Sequence, residues 1–107
     1  MTGEAYDRAK LVELFGDDKA TLAEVEREFL ETARGAEKEI LGTEDFDTIA
    51  RAAHRLKGAS GMIGAVALRQ LAEAVEKAAK AFDLKAVRRL RPDFSREVAR
   101  VAQQAGA

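Results

Sequence analysis

The stretch HRLKGASGMIG, His54 to Gly64, holds the chain's one histidine and three of its eight glycines. Sequence on both sides of it has helical periodicity. A glycine inside a helix costs roughly 1 kcal/mol relative to alanine. A helix that accepts several of them beside a lone histidine needs a reason. On a helical wheel of about 100° per residue with His54 at zero, Ile49, Ala52, Leu56, Ala59 and Ile63 fall between about 140° and 220°. These apolar residues define the core face, and the histidine points away from it. Ala50, Gly58 and Gly61 lie within about 40° of the histidine by the same rule. The imidazole therefore stands in a lane almost without side chains, bordered by Arg51 and Lys57, with Arg55 nearby. Glycines that served close helix packing would lie on the core side. Gly58 and Gly61 lie on the outer side, where they give clearance to something bulky approaching the ring. The basic border suits an anionic visitor. Neutral imidazole is a nucleophile near neutral pH. A phosphoryl group accepted there would carry a charge of about −2, which a lysine one turn away would offset.

Outward from this stretch, apolar residues recur at helical spacing along the whole chain. A short first helix is predicted over Tyr6–Phe15, with Leu11, Val12, Leu14 and Phe15 available for packing. Asp17 or Asp18 caps a long second helix, Lys19–Leu41, whose stripe is Leu22, Val25, Phe29, Ala33, Ala36 and Ile40. This helix absorbs Gly35 and stops at Gly42. Asp45 or Thr43 caps the third, Phe46–Ile63, which Gly64 loosens or ends. The fourth spans Val66–Phe82, with Leu68, Leu71, Val75, Ala79 and Phe82 on one side. Asp83 caps the fifth, Leu84–Gln104, with Leu84, Val87, Phe94, Val98, Val101 and Ala105 inward. Pro92 predicts a kink or short break there. Short connections make successive helices antiparallel neighbours. The expected fold is all-α: an up-down-up-down four-helix bundle with a short extra N-terminal helix, in one domain over residues 1–107.

Composition narrows the function. Eighteen basic and nineteen acidic residues give a net charge of −1, which argues against general nucleic-acid binding. The absence of cysteine removes disulfides, thiolate metal sites and cysteine nucleophiles. One histidine without neighbouring ligands supplies too few donors for a metal site and no partners for a catalytic triad. No apolar run reaches the roughly 18–20 residues of a membrane span. The opening residues have no basic stretch leading into an apolar core. A cytoplasmic protein without membrane contact, acting as a monomer, is the expectation. The glycines do not form a nucleotide-binding phosphate loop, because they lie within a helix and lack its spacing.

The stretch AHRLKGASGMIGA, Ala53 to Ala65, resembles the signature of the histidine-containing phosphotransfer (HPt) domain family. His54, Leu56, Lys57, Gly58, Ser60 and Gly64 fill the signature's places. The resemblance extends to chain size, the four-helix plan and the position of the histidine on the second bundle helix. It implies that His54 carries a phosphoryl group on its solvent-facing nitrogen Nε2, that Lys57 holds and neutralises it, and that Gly58 keeps the surface open. In this family a polar residue 22 positions after the histidine often bonds the other ring nitrogen. Here that residue is Glu76, which could orient the ring; the plainer role is a surface glutamate paired with Lys80. Arg55 departs from the small hydroxyl residue common after the histidine.

The implied partners are response-regulator receiver domains or a histidine kinase. No cofactor is expected on this chain, and Mg2+ is expected in the partner receiver. The chain would then be a phosphotransfer intermediate rather than an enzyme. Docking candidates are Arg51, Arg55, Met62 and Arg69, with Leu14 or Phe15 as further apolar contacts and packing the expected role of Phe15. Two other functions fit the same residues. One is a helical adaptor in which His54 is incidental. The other is the detached phospho-accepting domain of a chemotaxis-type kinase.

Overall fold

The structure, a computed structural model, describes residues 4–106. It contains α1 (Arg8–Phe15), α2 (Lys19–Leu41), α3 (Phe46–Met62), α4 (Val66–Lys80) and α5 (Leu84–Gln104), with no strand among the described residues. Helix α2 packs against α3 and α5, and α4 packs against the same two, closing a four-helix ring. The extra helix α1 lies outside this ring, packing mainly on α2, while its Lys10 side chain donates to the Gly61 carbonyl of α3. The chain is the all-helical bundle that the periodicity predicts.

Aspartate starts four of the five helices. Asp7, Asp18, Asp45 and Asp83 each accept a hydrogen bond from the backbone N–H three residues on, filling a donor that the first turn leaves without an in-helix partner. Of the paired alternatives, Asp18 and Asp45 are the caps, and the hydroxyl of Thr43 instead accepts from the N–H of Asp45. Helix α4 has no side-chain cap. It follows a turn at Gly64 (φ 70°) in which the Ala65 N–H donates to the Ser60 carbonyl. A Cβ on Gly64 would lie 2.8 Å from the Cβ of Asp7, so both backbone angle and space require glycine there.

Each stripe predicted for α2 and α3 faces the core. Leu22, Phe29, Ala33, Ala36 and Ile40 of α2 are buried, as are Ile49, Ala52 and Leu56 of α3. The buried residues of α3 and α4 are mostly small: Ala52, Ala53 and Ser60 on one, Ala72, Ala78 and Ala79 on the other. Small side chains let two helices approach closely, and the α3–α4 contact is the most extensive in the bundle.

The structure corrects the sequence reading in four places. Helix α1 begins at Arg8, and Tyr6 lies outside it, 2 % exposed. The Tyr6 hydroxyl donates to the buried Glu26 of α2, and burial together with that carboxylate pushes the phenol well above its usual range. Gln104 of α5 accepts from the N–H groups of Ala5 and Tyr6 and donates to the Tyr6 carbonyl, so this segment is strapped across the bundle end. Second, Val12, Leu14 and Phe15 stay substantially exposed, and only Leu11 of α1 is buried, because α1 lies outside the four-helix ring.

Third, α4 stops at Lys80, leaving Phe82 outside the helix and 75 % exposed rather than in the core. Leu84 is correspondingly only half-buried at the start of α5. Phe82 has φ 56°, a left-handed backbone that costs an L-residue about 1–2 kcal/mol. Fourth, α5 runs through Pro92 without a break, which is one of the two effects that the proline suggests. Pro92 and Arg88 are both exposed, so the Arg88 carbonyl that proline leaves without its in-helix donor lies on the solvent side of the helix.

Candidate functional site

His54 sits in the middle of α3 with its side chain 67 % exposed. Its position follows from the pattern: Ile49, Ala52, Ala53 and Leu56 commit one face to the core and turn the imidazole outward. Glu76 of α4 lies under it. The close α3–α4 packing brings a Glu76 oxygen, Oε2, to 2.9 Å from Nδ1 of His54. A carboxylate can only accept, so Nδ1 carries the proton and donates. In the neutral imidazole Nε2 then bears the lone pair. The ring is held in the tautomer that leaves Nε2 nucleophilic.

Glu76 is no surface glutamate, since its side chain is 5 % exposed. Three donors satisfy it. Lys57 Nζ is 2.8 Å from Oε1, Lys80 Nζ is 3.0 Å from Oε2, and His54 shares Oε2. Lys57, one turn along α3 from the histidine, has the strongest hold on its proton affinity. Together with Lys80 and His54 it outweighs desolvation and lowers the Glu76 carboxyl from 4.5 to about 2. The carboxylate stays ionised across any physiological pH. The pairing with Lys80 and the contact with His54 both occur, on one oxygen. Lys80 also lines the groove that holds His54, a placement the sequence reading did not assign to it.

Gly58 is exposed, and a Cβ there would meet nothing within 4 Å. Nothing inside the described protein therefore requires glycine at that position. Gly61 is half-buried, and a Cβ on it would lie 3.4 Å from the Arg69 side chain. Ser60, another place in the signature, is fully buried and belongs to the helix packing rather than to the exposed site.

The docking candidates, three on α3 and Arg69 on α4, divide into two groups. Arg51 pairs with Asp47 at 3.0 Å, and Arg55 reaches across to Glu39 of α2 at 2.8 Å. Both line a groove of about 540 Å3 on the N-terminal side of His54. Arg69, 3.7 Å from Glu73, and the exposed Met62 are not among that groove's lining residues. The groove also contains Phe46 and Phe82, two apolar rings that the sequence reading did not connect with the histidine. Their signal in the sequence is weak, because one opens a helix and the other follows one.

Among the described residues no group of three or more histidine, aspartate or glutamate side chains is placed to hold a metal. No helix there is long and apolar enough to cross a membrane. The site therefore offers one nucleophilic nitrogen, a buried carboxylate that fixes its tautomer, two lysines, and open space above.

In comparison with known proteins, no curated protein and no solved structure matches the chain. A family model described as Hpt domain matches residues 11–104. That match spans nearly the whole bundle and includes His54, Lys57, Gly58 and Glu76. The chain belongs to the Hpt domain family, the histidine phosphotransfer modules that act as phosphocarriers in two-component phosphorelays.

Proposed function

We propose that His54 Nε2 accepts a phosphoryl group from the aspartyl phosphate of a receiver domain and passes it on to another receiver. The observation that carries this reading is the contact of Nδ1 with Glu76, because in the neutral ring it puts the lone pair on Nε2 of an exposed side chain. In the transfer, a P–N bond forms at Nε2 as the P–O bond to the donor aspartate breaks, and that carboxylate departs with the electron pair. No proton needs to leave the ring. The product is a phosphorylated imidazolium that keeps its Nδ1–H, and the Glu76 carboxylate stabilises its positive charge, as a buried carboxylate does for the histidine of a serine protease. Nothing is consumed, so the reverse transfer uses the same groups.

Lys57 uses one of its three donors on Glu76, which leaves two for phosphoryl oxygens. Gly58 and Gly61 keep the approach clear. Arg51, Arg55, Met62 and Arg69 meet the partner around the phosphoryl-bearing centre. Phosphoryl transfer depends on positioning and charge stabilisation. In this reading the receiver supplies most of both, including Mg2+, and the present chain supplies an oriented nucleophile. A kinase catalytic domain is the other donor class.

The test is transfer of labelled phosphate from a panel of phospho-receivers and from a kinase donor to wild type and to His54→Gln. Label on wild type alone, labile to acid and stable to base, is the expected result. Label on both proteins, or on neither with the fold shown intact by circular dichroism, would remove His54 from the chemistry. Label from the kinase donor alone would reassign the chain to the phospho-accepting part of a kinase.

A further inference from the structure

At the end of α4 the chain places a phenylalanine where the backbone favours glycine. Ala81 is the C-cap, the Phe82 N–H donates to the Ala79 carbonyl at 3.0 Å, and the Asp83 N–H donates to the Ala78 carbonyl at 2.9 Å. This pair of bonds is the Schellman helix stop, which puts the residue after the cap in the left-handed region and is usually filled by glycine. Phe82 occupies it at φ 56°. The ring gains little burial in exchange. At 75 % exposed, Phe82 is the most open of the large hydrophobic side chains among the described residues. Its ring stacks edge-on against Phe46, the first residue of α3, with centroids 5.5 Å apart. A strained backbone that holds an apolar ring in water does nothing for the fold that glycine would not do better. Strain retained in this way belongs to function.

The two rings line the groove that also contains His54, Glu76 and Lys80. We infer that Phe82, braced on Phe46, is the apolar anchor on which the phospho-receiver domain docks, and that it sets which receivers this chain serves. The inference rests on the transfer reading above. A donor must bring its phosphorus to about 3–3.5 Å from Nε2, and a domain that does so covers the groove His54 lines. The charges of the groove agree with that occupant. Asp47 and Glu76 are already held in ion pairs, by Arg51 and by Lys57 and Lys80. Arg55 is likewise paired with Glu39, and the ion pairs set Arg51, Arg55, Lys57 and Lys80 against Asp47, Glu39 and Glu76, an excess of one cation. That excess faces the acidic phosphorylation site of a receiver, and the phenyl shelf meets an apolar patch beside it.

Phe82→Gly and Phe82→Asn separate the anchor from the fold, since both residues accept the left-handed backbone. Each is compared with wild type in three measurements: thermal unfolding, labelling of His54 by the small phosphodonor phosphoramidate, and transfer from the receiver panel. The expected result is a melting temperature equal to or above wild type, unchanged phosphoramidate labelling, and receiver transfer weakened roughly ten-fold or more, as for loss of an aromatic hot spot. The loss should be largest for the receiver that wild type prefers. Unchanged receiver transfer in both variants would overturn the anchor. So would an equal loss of phosphoramidate labelling, which would place the effect at His54 itself. A wild-type dimer that both variants dissociate would assign the shelf to a second copy of the chain instead. Wild type labelled by phosphoramidate and by no receiver would overturn the transfer reading, and the anchor with it. Wild type served by receivers while the variants match it would overturn the anchor alone.

Discussion

Replacing Glu76 with glutamine tests the site and the bundle together. The substitution keeps shape and an acceptor oxygen but removes the charge on which Lys57, Lys80 and His54 converge. The carboxyl titrates near 4.5 in the unfolded chain and near 2 in the folded one. At about 1.4 kcal/mol per pH unit, that difference amounts to about 3 kcal/mol of stability at neutral pH. Because the folded value is the lower one, this stability is fully present above about pH 4.5 and is lost as pH falls toward 2. Urea unfolding of wild type and Glu76→Gln across pH 2 to 7 measures it. Asp18 and Asp45 are also held below the usual carboxylate range by their capping bonds to Thr21 and Thr48. They weaken in acid in both proteins and cancel in the difference. The difference should be about 3 kcal/mol at pH 7 and close toward zero near pH 2. Two stability curves that run parallel over that range would refute the reasoning, since the buried cluster would then not depend on the Glu76 charge. On the functional side, loss of the group that fixes the ring should slow transfer to His54 by about 10–100-fold, as for partners that orient metal-bound histidines.

Further outcomes follow from individual backbone positions. Gly58→Ala should raise stability by about 0.5–1 kcal/mol, because a Cβ there meets nothing within 4 Å and the unfolded chain loses freedom. Gly58→Gln should leave unfolding near wild type while slowing transfer from receivers about ten- to a hundred-fold. Equal transfer by that variant would show that no partner covers the lane. Pro92→Ala restores an in-helix donor to the Arg88 carbonyl of α5. Proline is about 3 kcal/mol worse than alanine inside a helix, and its stiffening of the unfolded chain offsets about 1, so a gain of about 2 kcal/mol in urea unfolding is expected. A loss of stability instead would mean that α5 packs around the proline.

Much of the architecture follows from local periodicity. Helices α2 and α3 could be read directly because their apolar stripes repeat at helical spacing and aspartates stand at their starts. The outward direction of His54 follows from the same arithmetic, since a helix fixes the angle between residues a few positions apart. Gly64 was legible as a stopping point for the same local reason. Helix ends and orphan polar groups were less legible. Phe82 continues the apolar stripe of α4, but the carbonyls of Ala78 and Ala79 take the N–H groups of Asp83 and Phe82 and stop the helix first. Tyr6 continues the pattern of α1, but its hydroxyl finds Glu26, twenty residues away, and leaves the helix to do so.

The sequence by itself determined an all-helical bundle, the face on which the histidine stands, and the place of the glycines beside it. These depend on spacings within one helix. Only the tertiary structure decided what lies beneath and beside the ring. Glu76 belongs to another helix, and its burial, its hold on Nδ1 and its two lysines exist because small side chains let α3 and α4 close together. The Phe46–Phe82 shelf joins the start of one helix to the turn after another. Contacts between elements depend on how helices cross, which residue spacing along one chain does not encode, so the sequence left Glu76 between two roles and the shelf becomes visible only when the helices are packed.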